Sequence, residues 1–510
     1  MIYINNMLRK FIPELNKLTT KCNVPHYING KFVKPIGSIS IPVISPSKDT
    51  IVTNVTLDDN DALKSAINVS KTSFNTWSNV SIGKRVEGLI EWNNWIADNK
   101  DNIATIISAE NGKTFEDAQA EVVRGIEVVR YALSAPSLLK GDYSVINDSL
   151  EIHTKKQPLG VVTGLMPFNF PAMIPLWMIP LAVVCGNSII IKSSEKCPMT
   201  PLFLAYGATK SLPPGVVNVI HGGVSISSDL ISHKDIEAVS FVGSTTVGKK
   251  VYDTVAKHGK RSQINMGAKN HAVVMPDCNY EETADSIISA FVMGQRCMAI
   301  SVLIVVDGAD SIVDLIKKKL ETIDPVDDMG PLITAEAKSN LIKHVENSIE
   351  YGAELTHGDY NATINDNVGN YMEPLILENV NTNMDVYKNE LFGPVLSIIK
   401  VSTLDDAIEI VNKNEYGNGT SIFTNDMHEA NKYENETKVT QCGVNVPIPV
   451  SPPYYSWTSS KESYRGSHYI YGPSSFDFYS QEKTTMTKFQ QNGKQNVEQD
   501  KISVTMPTFS

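Results

Sequence analysis

Gly160-Val161-Val162-Thr163-Gly164-Leu165-Met166-Pro167-Phe168-Asn169-Phe170-Pro171 decides the fold. Val161 to Thr163 read as a buried strand. The strand breaks into a tight turn bounded by prolines, and an apolar helical stretch follows it. The same alternation continues outward. Ser188 to Ile191, Val217 to Ile220 and Ala238 to Val242 are short β-branched or apolar runs, separated by helix-like segments such as Pro198 to Leu212 and Thr245 to His258. Strands that are apolar throughout, alternating with helices, predict a parallel, doubly wound sheet covered on both faces. A second series, His271 to Met275, Ser301 to Val306, Val395 to Val401 and Ser421 to Thr424, predicts a second α/β domain. Ser144 to Lys156 alternates polar and apolar residues, as a β-ribbon outside both cores would. Asn361 to Asn370 reads as a polar loop, and no internal repeat is evident.

The 510 residues are too many for one compact core, so two or three domains are expected. A net charge of -11 argues against a nucleic-acid surface, which needs clustered Lys and Arg. No apolar run approaches the roughly 20 residues that span a bilayer. The cysteines at 22, 185, 197, 278, 297 and 442 are too sparse for a disulfide framework and form no CxxC pair, so no metal site is expected and a reducing compartment is implied. In residues 1–21, Ile4, Leu8, Phe11, Leu15 and Leu18 share one helical face and basic residues outweigh Glu14. That is the pattern of a mitochondrial import segment, or of a plain surface helix interrupted by Pro13. Residues 490–510 are polar and Gln/Asn-rich and read as a disordered tail.

Four local patterns carry chemistry. In Gly294-Gln295-Arg296-Cys297-Met298-Ala299, a cysteine follows a glycine-led turn. A thiolate there is a nucleophile whose pKa the adjacent Arg296 would lower; the alternative is a buried structural cysteine, which suits Cys185 and Cys278. Asn169, rigid between prolines, either donates to a developing oxyanion or satisfies its own turn. In Lys192-Ser193-Ser194-Glu195, at the end of a buried strand, Lys192 and Glu195 either bond ribose hydroxyls or pair in solvent. Phe241-Val242-Gly243-Ser244 is a strand, a Gly-Ser turn and the start of a helix that Ser244 can cap, with free amides suited to a pyrophosphate. There is no GxGxxG.

Together with Glu390-Leu391-Phe392-Gly393-Pro394, these ordered pieces resemble the aldehyde dehydrogenase superfamily from about Tyr27 to Phe489. Within it, Pro167 to Trp177, Asn265-Met266-Gly267-Ala268-Lys269-Asn270-His271, Gly294 to Ala299 and Gly443 to Pro449 look like the methylmalonate-semialdehyde dehydrogenase branch. The resemblance implies that Cys297 is the nucleophile and Asn169 the oxyanion donor. It implies cofactor contacts at Phe168, Lys192, Glu195, Lys196, Gly243, Ser244, Glu390 and Phe392, and substrate-carboxylate contacts at Arg124 and Arg296. Glu195 at a ribose hydroxyl would repel a 2'-phosphate, so NAD is expected over NADP. Asn265 stands where hydrolytic members carry the Glu that activates water. An amide has no useful basicity, so the acyl group should pass to coenzyme A.

The implied fold is α/β and aldehyde dehydrogenase-like: an NAD-binding domain over residues 22–143 and 157–268, a catalytic domain over 269–467, and an oligomerisation ribbon over 144–156 and 468–489. A homotetramer or dimer is expected, in the mitochondrial matrix if the chain is eukaryotic and otherwise in the cytoplasm. The implied reaction is NAD- and CoA-dependent oxidative decarboxylation of malonate or methylmalonate semialdehyde. The rival readings are a broad hydrolytic aldehyde dehydrogenase and a non-catalytic NAD-binding homologue. Four departures from the branch stand out: Ser193 in place of Pro, Ser459 and Glu373 in place of Gly, and a shortened loop before Met329. A fifth, a helix one residue short before Gly294, would rotate Cys297.

Overall fold

A computed structural model describes residues 23–147 and 150–488; the import-type segment and the polar tail lie outside them. The first sheet is built on β1 (Val161–Leu165), β2 (Ser188–Lys192), β3 (Val217–Ile220), β4 (Ile236–Val242) and β5 (Arg261–Asn265). All five are parallel, in the order β3-β2-β1-β4-β5. Every residue of β1, β2 and β3 is buried, which is why these runs carry no polar alternation. The edges depart from the parallel expectation. His26–Ile28, backed by Lys31–Val33, covers β3, and Tyr464–Gly466 covers β5, both antiparallel. These edge strands come from distant parts of the chain and need no crossover helix.

The second sheet contains β6 (Asn270–Val274), β7 (Ile300–Val306), β8 (Leu375–Glu378), β9 (Val395–Val401), β10 (Thr420–Phe423) and β11 (Cys442–Val444), in the order β8-β9-β7-β6-β10-β11. These six are parallel, and Glu354–His357 adds an antiparallel edge. Tyr464–Gly466, inside the stretch 269–467 expected to form the catalytic domain, pairs with the first sheet.

Tyr143–Asn147, Leu150–Pro158 and Ser480–Lys488 form a separate three-stranded antiparallel ribbon, with Ser480 opposite Pro158 and Lys488 opposite Leu150. The residues before its last strand, Pro473–Phe478, form a short helix with Pro at its start.

Four helices position the site. They are α1 (Phe115–Ala132), α2 (Met173–Val184), α3 (Thr245–Lys257) and α4 (Tyr280–Phe291). Thr114 caps α1 by accepting from the Asp117 amide, and Glu116 and Asp117 complement the helix N-terminus. All twelve residues of α2 are buried. A Cβ at Gly125 of α1 would lie 2.5 Å from Leu176 Cδ1, so glycine permits α1 and α2 to touch.

Candidate active site

In the first sheet the strand order reverses between β1 and β4. Open α/β sheets bind ligands at the carboxyl ends of strands at such a point. The turn after β1 carries Phe168 and Asn169, and the turn after β4 carries Gly243 and Ser244, so two of the sequence motifs flank this point.

Asn169 is buried. Its Nδ2 donates to Gln295 O (3.0 Å), which ties the turn to the loop that carries Cys297. Lys113 holds the other side. Its Nζ donates to Asn169 O (2.8 Å) and to Glu121 Oε2 (2.7 Å), and lies 4.5 Å from the centre of the Phe170 ring. Glu121 Oε1 accepts from the amides of Ala172 and Met173 (2.7 and 3.1 Å). A buried ion pair satisfied on this many sides is a rigid clamp.

The Cys297 loop is gripped equally closely. A Cβ at Gly294, where φ is +58°, would fall 2.1 Å from the Gly393 carbonyl carbon, so the nucleophile turn and the Glu390 loop pack backbone against backbone. Gln295 donates to Pro331 O and accepts from the Ile333 amide. Cys297 O accepts from Asn270 Nδ2 (2.9 Å) and Asn418 Nδ2 (3.0 Å). The connection before Gly294 is a turn at Met293 that follows α4, and these anchors fix the loop beyond it.

Cys297 is half-buried, whereas Cys185, Cys197 and Cys278 are buried. One small cavity is lined by Cys297, Arg296, Ala268, Glu390 and Phe392. A second is lined by Asn169, Lys113, Asp117, Gln295 and Arg296. Arg296 thus borders both.

The expectation that Arg296 lowers the Cys297 pKa is corrected. Burial, and after it the Glu390 carboxylate, pushes the thiol up to about 12. The guanidinium is engaged by Asp117, with Nη2 2.6 Å from Asp117 Oδ1. Adjacency in sequence did not fix the direction of a long side chain.

On the cofactor side, Lys192 and Glu195 bond each other, with Lys192 the more buried, and Lys196 is exposed. Ser244 stands at the N-cap of α3, yet its side chain makes no capping bond; this corrects the capping expectation. Ser244 therefore does not occupy the first-turn amides, and an uncapped helix N-terminus of this kind suits an anion. Gly248 permits close packing, since a Cβ there would lie 2.4 Å from Met266 Cγ.

Glu390 Oε1 accepts from the Ala268 amide (3.0 Å), and burial raises its carboxyl to about 7. Phe392 has φ +54°, a strained value for a bulky residue, and its ring meets Phe168 edge to face at 5.8 Å. These features fit a dinucleotide: open helix amides for its phosphates, carboxylates for its sugars, and an aromatic pair for its ring.

Asn265 ends β5. It is 7% exposed, and neither Oδ1 nor Nδ2 has a partner among the described residues. Arg124 stands outside both small cavities but shares the neighbour Tyr471 with Cys297. Its Nη1 pairs with Glu127 Oε2 (2.6 Å), and both side chains are 37% exposed. Lys113, Glu121, Asp117, Asn270 and Asn418 were missed in the sequence, because each acts across a gap in the chain that no local pattern marks.

The aldehyde dehydrogenase family model matches residues 32–485. The chain is 38% identical to the acylating, mitochondrial methylmalonate-semialdehyde dehydrogenase of Arabidopsis thaliana, over 90% of this chain and 78% of that one. It is 39% identical to the acylating, mitochondrial methylmalonate-semialdehyde/malonate-semialdehyde dehydrogenase of Bos taurus, over 95% and 91%. A solved chain from Sinorhizobium meliloti 1021, in complex with NAD, superposes with a TM-score of 0.90 at 33% identity, covering 93% of this chain and 99% of that one.

Proposed function

Because the chain belongs to the aldehyde dehydrogenase family, we propose that it is an NAD-dependent, CoA-acylating dehydrogenase of malonate and methylmalonate semialdehydes. Residues 22–143 and 157–268 would bind NAD and 269–467 would carry the chemistry. The ribbon would join subunits into a dimer or tetramer, since a free sheet edge covered by a second copy is protected. The relatives' mitochondrial names and the basic, amphipathic start of the sequence support the mitochondrial matrix for a eukaryotic chain.

The observation that carries the acylating reading is Asn265, a buried amide with no basicity at the end of β5. In the proposed mechanism the Cys297 thiolate adds to the aldehyde carbon. The oxyanion accepts from the Asn169 amide, whose second N–H remains after the bond to Gln295. Lys192, Glu195, Lys196, Gly243, Ser244, Phe168, Glu390 and Phe392 would hold NAD, which supplies the hydride acceptor when bound. Burial and Glu390 oppose the thiolate, so the positive charge that a bound NAD would bring to the site is what would favour it.

The product on the protein is a Cys297 thioester. With a β-carboxylate present, its C–C bond breaks to release CO2. The electron pair moves into an enolate on the thioester, whose oxygen again faces Asn169, and a proton quenches the carbanion carbon. Coenzyme A thiolate then takes the acyl group and frees Cys297. Arg124 and Arg296 are the proposed ligands for the substrate's acid.

Incubation with malonate semialdehyde, NAD and coenzyme A should give acetyl-CoA, CO2 and NADH in equal amounts. Free acetate as the main product, or malonyl-CoA, would contradict this reading; mass spectrometry of the products decides. On the cofactor side, Glu195→Gln should weaken NAD and narrow the preference for NAD over NADP, because it removes the charge that repels a 2'-phosphate. Initial rates with both cofactors test this, and an unchanged preference would mean that the ribose contact lies elsewhere.

A further inference from the structure

Arg296 reaches the boundary between the two small cavities with its guanidinium already anchored. Nη2 donates to Asp117 Oδ1 at 2.6 Å, and Nη1 makes a long contact of 3.5 Å to Ser289 O. Asp117 is itself fixed. It lies in the first turn of α1, its amide donates to Thr114 Oγ1, and its other oxygen is 3.8 Å from Lys113 Nζ. Both partners are largely shielded, with side-chain exposures of 25% for Arg296 and 18% for Asp117.

A guanidinium is a rigid planar fork of five N–H groups, so a carboxylate holding one nitrogen also sets where the others point. Left unheld, the side chain has several rotatable bonds, and the entropy lost on fixing it would count against substrate binding. Lys113 is already committed to Glu121 and Asn169 O, so it leaves Asp117 Oδ1 to Arg296.

We propose that Asp117 is a specificity-determining positioning residue: its Oδ1 anchors Arg296 so that the remaining guanidinium N–H groups are set for the carboxylate of a semialdehyde acid bound beside Cys297. The inference rests on the reading of Arg296 as a carboxylate ligand. Asp117 touches the arginine and not the substrate. Its effect should therefore fall on acidic aldehydes and spare neutral ones. It should also depend on an acceptor oxygen at Oδ1 more than on negative charge.

The test compares kcat and KM for malonate semialdehyde and for propanal in the full-length protein, with NAD and coenzyme A saturating. Asp117→Ala should raise KM for malonate semialdehyde about tenfold, the usual scale for one charge-assisted contact, while kcat and both constants for propanal move less than about twofold. Asp117→Asn keeps the acceptor, should fold at least as well, and should restore KM to within about threefold of the unaltered protein.

Equal losses with both aldehydes would make Asp117 merely structural and overturn the proposal. So would a lower KM in Asp117→Ala, which would make it a competitor of the substrate, or an Asn variant as poor as the Ala variant. Arg296→Leu separates the two levels. If it raises KM for malonate semialdehyde alone while Asp117→Ala does nothing, the anchor is wrong and the carboxylate reading stands. If Arg296→Leu leaves that KM unchanged, the carboxylate reading falls and takes the anchor with it.

Discussion

Replacing Cys297 with alanine should abolish NADH formation from every aldehyde while leaving NAD affinity nearly unchanged. Removing the nucleophile of a covalent mechanism usually costs far more than 100-fold in kcat, so residual turnover should fall below about 1%. Binding should survive because the backbone, not the sulfur, organises this loop. Asn270 and Asn418 hold Cys297 O, and Gln295 holds Pro331 O and the Ile333 amide. A smaller side chain at 297 leaves all four bonds in place. The substitution also removes a thiol that burial and Glu390 hold far from its reactive form, so no stabilising charge is lost. Steady-state rates and NAD titration of the same preparation check both halves. Turnover above about 1%, or a large loss of NAD affinity, would refute the assignment.

Much of the fold was legible because its evidence is local. Runs such as Ser188–Lys192 are apolar from end to end only when both faces of a sheet are covered, and all five of these residues are buried. The turns at Asn169, Gly243 and Gly294 were legible too, since glycine and proline constrain the chain one residue at a time. Edges were less so. Tyr464–Gly466 pairs with β5 across almost two hundred residues, and nothing in its own three residues announces the partner.

The site divides in the same way. The positions of Cys297 and Glu390 on one cavity followed from motifs, but the state of each side chain did not. Arg296 next to Cys297 in sequence suggested an activated thiol. In the structure Asp117, far away along the chain, has taken the arginine, and the thiol is held up instead. Lys113 and Glu121 escaped notice because their task, holding the Asn169 turn, exists only once α1 packs against α2.

The second large effect concerns Asn265. In the proposed mechanism the thioester persists because Asn265 has no basicity and Glu390, engaged by the Ala268 amide, would hold the cofactor's ribose, whereas a thiol of ordinary pKa, roughly 8.5, ionises readily. Asn265→Glu would place a carboxylate at the end of β5, at a position only 7% exposed, where burial should raise it as burial raises Glu390 to about 7. Such a carboxylate is well matched to general-base work near neutral pH. The variant should therefore turn over steadily without coenzyme A, in favour of free acid, with a rate that rises with pH until the new group is ionised. No gain in coenzyme A-independent turnover would mean that a missing base is not what preserves the thioester.

The unaltered protein gives the most direct test. Stopped-flow absorbance should follow NADH after mixing with NAD and propanal, first without coenzyme A and then with it. The expected result is a burst of one NADH per active site followed by near-silence, and steady turnover once coenzyme A is added. Rapid, sustained NADH production without coenzyme A would contradict it.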